Sequence, residues 1–140
     1  MAKTIAILGS TGSVGQNTLR VISENPEKFR VTALAAGTNA DLMIEQWHEF
    51  RPSHISMATK EAADRVTSAL PDTVNVVWGK EGLEEIARDP ESEMVVSAVV
   101  GSLGLRATLA AIDAGKTIAL ANKETLVAGG ELVMQRARER

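Results

Sequence analysis

Cysteine is absent from this 140-residue chain, and that absence removes disulfides, thiolate catalysis and cysteine-ligated metals from consideration. A strong charge of either sign is missing too. The formal net charge is −3, which gives no reason to expect nucleic acid or an anionic membrane as a partner. No run approaches the ~18 consecutive apolar residues of a spanning helix. Met1-Ala2-Lys3 leads directly into a strand-like segment and does not resemble a leader peptide. The expectation is a cytoplasmic protein. Linkers and low-complexity stretches are lacking, so the chain reads as one domain, residues 1–140, long enough to enclose a proper core. Histidine is scarce. His48 and His54 stand singly and read as structural, and no cluster of Asp, Glu or His makes a convincing metal or catalytic set.

What the chain does possess begins at Gly9. The apolar run Lys3-Thr4-Ile5-Ala6-Ile7-Leu8 reads as a buried strand, followed by Gly9-Ser10-Thr11-Gly12-Ser13-Val14-Gly15 and then a segment of helical period. In such an arrangement Gly9 can take the tight turn at the strand end. Gly12, without a Cβ, lets a phosphate approach the main chain, and Gly15 lets the helix lie closely on the sheet. The first amides of that helix have no intrahelical acceptor, and its dipole is positive there, so an anion is welcome. Thr11 and Ser13 add hydroxyl donors. The spacing is G-x-x-G-x-x-G, and small-residue turns between strand and helix also serve packing alone; context has to decide.

The context is a regular alternation. Strand-like runs recur at Thr4–Leu8, Val31–Ala36, His54–Met57, Val74–Trp78, Met94–Val100 and Thr117–Ala121. Helical segments lie between them at Val14–Ser23, Asp41–Phe50, Lys60–Leu70, Gly82–Arg88 and Leu103–Ala114. In the second helix Leu42, Ile44, Trp47 and Phe50 offer an apolar face beside Glu45, Gln46 and Glu49. The first four helices end near Pro26, Pro52, Pro71 and Pro90, which cannot continue them, and the fifth ends at Ala114-Gly115. The fold class is therefore α/β, a doubly wound parallel sheet of Rossmann-like dinucleotide-binding type. Its ligands belong beyond the carboxyl ends of the strands.

Three of those strand ends invite separate readings. The second ends Ala35-Ala36-Gly37-Thr38-Asn39 and lacks the acid that usually holds an adenosine 2′-hydroxyl, which favours NADP over NAD. Thr38 and Asn39 can donate hydrogen bonds but bring no positive charge. Asn39 also fits a helix N-cap, and Lys60 reads as a solvated residue at a helix start. Ala98–Ser102 suits a wall against a nicotinamide ribose and equally an ordinary turn. The sixth strand runs into Asn122-Lys123-Glu124, three polar residues placed where a substrate would meet the cofactor, or else a capping asparagine with two solvated charges.

GSTGSVG at Gly9–Gly15, AGTN at Ala36–Asn39 and ANKETL at Ala121–Leu126, together with Asn25-Pro26 and Ala114-Gly115-Lys116-Thr117, resemble the 1-deoxy-D-xylulose 5-phosphate reductoisomerases over essentially the whole chain. The resemblance implies an NADPH-binding domain at residues 1–140. Thr11, Gly12, Ser13 and Val14 would contact the NADPH pyrophosphate and neighbouring ribose. Gly37, Thr38 and Asn39 would hold the adenosine end with its 2′-phosphate, although many relatives carry a basic residue where this chain has Thr38. Asn122 and Glu124 would lie toward the nicotinamide, and Lys123 would reach the sugar phosphate substrate.

The family rearranges 1-deoxy-D-xylulose 5-phosphate with a divalent metal, Mg or Mn. It then reduces the aldehyde with NADPH to 2-C-methyl-D-erythritol 4-phosphate, a step of non-mevalonate isoprenoid synthesis, and the full-length parent is expected to be a homodimer. Its members continue past this point into an acidic D-S-E-H-type segment, a catalytic domain and a C-terminal helical region. This sequence stops at Arg140, within a helix expected from Glu131. No catalytic or metal residue is therefore expected here, and the chain alone should bind a cofactor without performing chemistry. Two alternatives stay open: the cofactor domain of another dehydrogenase of semialdehyde dehydrogenase type, and a non-catalytic nucleotide sensor.

Overall fold

The computed structural model describes residues 2–99 and 101–120. Within them β1 (Lys3–Leu8), α1 (Ser13–Glu24), β2 (Phe29–Ala35), α2 (Ala40–Phe50), β3 (His54–Met57) and α3 (Lys60–Ala69) follow one another. Next come β4 (Asn75–Trp78), α4 (Gly79–Ala87), β5 (Met94–Ser97), α5 (Gly101–Asp113) and β6 (Thr117–Leu120). The six strands form one sheet in the order β4-β3-β2-β1-β5-β6. Every pairing is parallel. The chain builds outward from β1 through β4, then crosses to the other side of β1 for β5. That reversal puts the topological switch between β1 and β5, where the loops leave in opposite directions and open a crevice.

Alternation along the strands sorts side chains onto two faces. Ile5 and Ile7 join Leu19, Ile22, Leu34, Met43, Trp47, Ile55 and Val66 beneath α1, α2 and α3. Ala6 and Leu8 point the other way, into a second cluster with Ala33, Ala35, Leu83, Ile86, Val95 and Ala107 beneath α4 and α5. Full burial of a side chain such as Ile7, which is 0% exposed, contributes about 1.5–3 kcal/mol. A register shift between Ile5 and Ala6 leaves Thr32 of β2 without a counterpart in β1. The extra residue lets both Val31 and Leu34 face the first cluster.

The helix ends follow the chemistry expected of them. Asn39 Oδ1 accepts from the Leu42 amide at 3.1 Å, and Thr59 Oγ1 accepts from the Ala62 amide at 3.2 Å, capping α2 and α3. Arg51 closes α2 in the left-handed region (φ 54°), just before Pro52. At the end of α5, Gly115 takes φ 81°; its amide bonds Ile112 O, while that of Lys116 reaches Ala111 O, the paired bonds of a Schellman stop. Several expected boundaries differ by one to three residues, β2 beginning at Phe29 and not Val31, and others are informative. β5 stops at Ser97, short of Val100, because β1 turns away after Leu8, the partner of Ser97. α4 begins at Gly79, not Gly82. Gly82 is interior, where a Cβ would stand 2.7 Å from Ser56 Oγ, so this glycine lets the helix lie on the sheet. α5 likewise starts at Gly101, with Gly104 buried inside it.

Candidate cofactor site at the carboxyl ends of the strands

The turn after β1 is held from below and open above. The Gly9 and Ser10 amides both donate to Ala35 O, at 2.7 and 2.9 Å, tying the turn to the end of β2. Gly9 sits at φ 89°, and a Cβ there would lie 3.1 Å from the Ala98 carbonyl across the switch. Two glutamine side chains capture the turn's carbonyls. Gln46 Nε2 of α2 donates to Ser10 O at 2.8 Å, and Gln16 Nε2 of α1 donates to Thr11 O at 2.8 Å. With the carbonyls engaged, the backbone N–H groups of Thr11, Ser13, Val14 and Gly15 find no acceptor among the described residues. α1 has neither a side-chain cap nor an acid in its first turn. Four unpaired amides at a helix start, with the positive end of its dipole, form a seat for an anion.

The glycines of this turn divide by cause. A Cβ on Gly15 would stand 2.1 Å from Gly9 O and 2.7 Å from Ser10 Cα, so that glycine is required by the chain's own backbone. Gly12 is not. Its φ of −77° and ψ of 171° suit any residue, and a Cβ would meet only Gly9 O, at an ordinary 3.7 Å. The missing side chain at Gly12 benefits only something that approaches from outside. Gly12, Ser13 and Val14 are exposed and Thr11 is half-buried, all on the same lip of the crevice.

A second cluster forms at the end of β2. Gly37 is exposed, without positive φ and with nothing within 4 Å of a Cβ, so neither strain nor packing calls for glycine. Its carbonyl accepts from Ala58 N at 2.9 Å, which fixes the β2 turn against the β3 turn. Thr38 O accepts from Ala40 N at 2.8 Å, and Asn39 performs its capping role while its Nδ2 finds no acceptor among the described residues. Thr38 and Asn39 line a groove of about 310 Å³ between the starts of α2 and α3. Lys60, as expected of a solvated residue, pairs with Asp64 at 3.0 Å and lies over the Trp78 ring.

The predicted residues thus come together in two groups, Thr11–Val14 and Gly37–Asn39, both at the carboxyl edge. Asn122, Lys123 and Glu124 lie outside the described residues, as do the last residue of the sixth expected strand and the helix expected from Glu131. Ala98 packs on Gly9, and Ser97 below it accepts from Thr108 Oγ1 at 3.2 Å, so this strand end braces the turn. Three contributors were missed. Gln46, read as belonging to the polar side of α2, is 6% exposed and shares the inward face with Met43 and Trp47. Its spacing three after Met43 and one before Trp47 is the signal that places it there. Gln16 gave no such signal. Neither did Arg65 of α3, whose guanidinium donates to Asp41 Oδ1 from 24 residues away and borders the groove beside Thr38.

Among the described residues no three of His, Cys, Asp and Glu gather as a metal set. No helix among them is long and apolar enough to cross a membrane. His48 lies edge-on to Trp47, and His54 sits 3.7 Å from both Asp89 Oδ1 and Glu91 Oε1 at the opposite end of the sheet.

Comparison with known proteins agrees with this fold. Residues 5–130 match the family model described as 1-deoxy-D-xylulose 5-phosphate reductoisomerase. A curated protein of that name from Halalkalibacterium halodurans is 50% identical over 137 residues, 98% of this chain and 36% of the relative. The solved reductoisomerase from Zymomonas mobilis in complex with NADPH superposes with a TM-score of 0.92 at 35% identity, over 99% of this chain and 37% of that one. A second solved structure, a DOX-P reductoisomerase in complex with NADPH, fosmidomycin and magnesium, gives a TM-score of 0.90 at 41% identity, over 98% of this chain and 34% of that one. The chain spans about a third of the length of the curated relatives it matches.

Proposed function

The chain belongs to the 1-deoxy-D-xylulose 5-phosphate reductoisomerase family, and from that premise we propose that residues 1–140 are the NADPH-binding domain of such an enzyme. The semialdehyde dehydrogenase alternative gives way to the family match. The observation that carries the cofactor reading is Gly12, a glycine with no internal reason to be one, set among four amides that lack acceptors. Thr11, Ser13 and Val14 receive the pyrophosphate through backbone N–H groups, Gly12 lets it approach the main chain, and Gly15 keeps the helix start close beneath them. Gln46 and Gln16 hold the turn's carbonyls away from the approaching anion. Gly37, Thr38 and Asn39 take the adenosine ribose and its 2′-phosphate, with Asn122 and Glu124 toward the nicotinamide.

NADPH supplies the hydride that reduces a carbonyl of the rearranged sugar phosphate. This chain's own part is to bind and orient that cofactor at the switch between β1 and β5, and Lys123 is the residue assigned to the sugar phosphate. The described residues offer no ligand set for a divalent cation. The acidic ligands for Mg or Mn belong to the rest of the parent enzyme, and the parent is assigned as a homodimer of the cytoplasm. The 140-residue chain by itself binds NADPH and turns over no substrate. Calorimetric titration of the chain with NADPH checks the first half of this reading, with saturable one-site binding as the expected result. Incubation with 1-deoxy-D-xylulose 5-phosphate, NADPH and Mg checks the second, and any turnover contradicts it.

A further inference from the structure

A cofactor with a 2′-phosphate brings a near-dianion to the end of β2, and charge-assisted bonds to such a group are roughly twice as strong as neutral ones. Gly37, Thr38 and Asn39 supply none. The groove that Thr38 and Asn39 line is completed by α3, and there Arg65 reaches back over 24 residues of sequence to Asp41 Oδ1. Asp41 is the first acid after β2, and its carboxylate is engaged by that guanidinium. Arg65 remains 64% exposed at the side chain, and a guanidinium has five N–H donors, of which the contact with Asp41 occupies a minority. The other nearby cation, Lys60, pairs with Asp64 and is not among the residues lining the groove, whereas Arg65 is. Glu61 lines the same groove and opposes an anion, so the groove needs a cation that keeps donors beyond those its own carboxylate partner takes up.

We propose that Arg65 is the specificity determinant for the cofactor's 2′-phosphate, with Asp41 holding its guanidinium at the mouth of the groove beside Thr38 and Asn39. The proposal rests on the NADPH reading above and deepens it. The cation missing from the β2 turn comes from the neighbouring α3 instead. Asp41 orients it in the free chain, and the phosphate takes up the donors that Asp41 leaves.

The test is a calorimetric titration of the chain with NADPH, NADH and adenosine 2′,5′-bisphosphate, for wild type, Arg65→Ala, Arg65→Lys and Asp41→Asn. Arg65→Ala is expected to weaken NADPH and the bisphosphate about tenfold, the size of one charge-assisted hydrogen bond, and to leave NADH unchanged. Arg65→Lys retains the charge without the fork and should recover part of that loss. Asp41→Asn, which frees the guanidinium, should bind NADPH at least as tightly as wild type. Equal weakening of NADPH and NADH by Arg65→Ala, or no effect on either, overturns the proposal while leaving the cofactor seat intact. Failure of the wild-type chain to bind either coenzyme overturns the cofactor reading and this proposal together. Circular dichroism of each variant verifies the fold. If Arg65→Ala does not fold, a reduced NADPH preference in a folded Arg65→Lys supports the proposal, and an unchanged preference contradicts it.

Discussion

Asp89 and Gly12 lie at opposite ends of the same sheet, and their surroundings are opposite in kind. Asp89, 3% exposed, accepts from Thr32 Oγ1 at 2.8 Å and from the Glu91 amide at 3.2 Å, while its carbonyl accepts from Lys116 Nζ. Beside it, His54 also meets Asn75 Nδ2 at 3.3 Å, and Glu93 accepts from the Thr4 amide at 3.0 Å. The amino ends of the strands are thus closed on themselves, with their polar groups paired inside the chain. At the carboxyl ends four amides around Gly12 lack acceptors, and the two buried side-chain oxygens without a partner among the described residues, Ser10 Oγ and Gln46 Oε1, both lie beneath that turn. Since unpaired polar groups are costly unless water or a ligand satisfies them, the contrast assigns one end to stability and the other to binding.

The contrast can be broken from either side. The largest effect is expected from Gly15→Ala, whose Cβ would fall on Gly9 O. Urea denaturation should show a loss of about 3 kcal/mol, and NADPH binding should vanish with the displaced turn. Next comes Asp89→Ala at the closed end. Leaving the buried Thr32 hydroxyl only its long 3.4 Å contact to Ile5 O, and the Glu91 amide without its acceptor, should cost about 2 kcal/mol in the same assay, with NADPH affinity per folded molecule unchanged. A drop in affinity there would show that the two ends are not separate.

The smallest effect concerns pH. The Thr4 amide holds the Glu93 carboxyl below the usual carboxylate range, aided by the Thr4 hydroxyl and the charge of Lys3. A lowered carboxyl contributes stability that is complete above its unfolded value, 4.5, and is lost as pH falls through the folded one. The stability gap between wild type and Glu93→Gln should therefore be widest at neutral pH and close on acidification. A gap that does not change with pH would count against the assignment.

Much of this division was legible in the residues themselves. Apolar runs bounded by glycine or proline gave the parallel sheet, His54–Met57 to the residue, because strand periodicity and helix stops are local properties. Boundaries went wrong where a local sign had a tertiary cause. Gly82 reads as the start of a helix but is interior to one, since the sheet approaches it there. Val99 reads as strand but packs from a loop onto the second core cluster. The glycine turn between β1 and α1 was legible from the glycine spacing, yet that spacing does not distinguish Gly15, required by Gly9 O, from Gly12, required by nothing among the described residues. The carbonyl clamps of Gln16 and Gln46 and the reach of Arg65 to Asp41 depend on how helices pack, and no run of sequence spells out such contacts.

The central claim is that Gly12 is kept bare for a cofactor and for nothing else, so the most direct measurement is Gly12→Val, followed by urea denaturation and calorimetric titration with NADPH. The expected result is a stability within about 1 kcal/mol of wild type, because the backbone at that position suits any residue, together with complete loss of the NADPH binding that wild type shows. A Gly12→Val chain that binds NADPH as wild type does would contradict the claim, and so would one whose loss of binding is matched by loss of the fold.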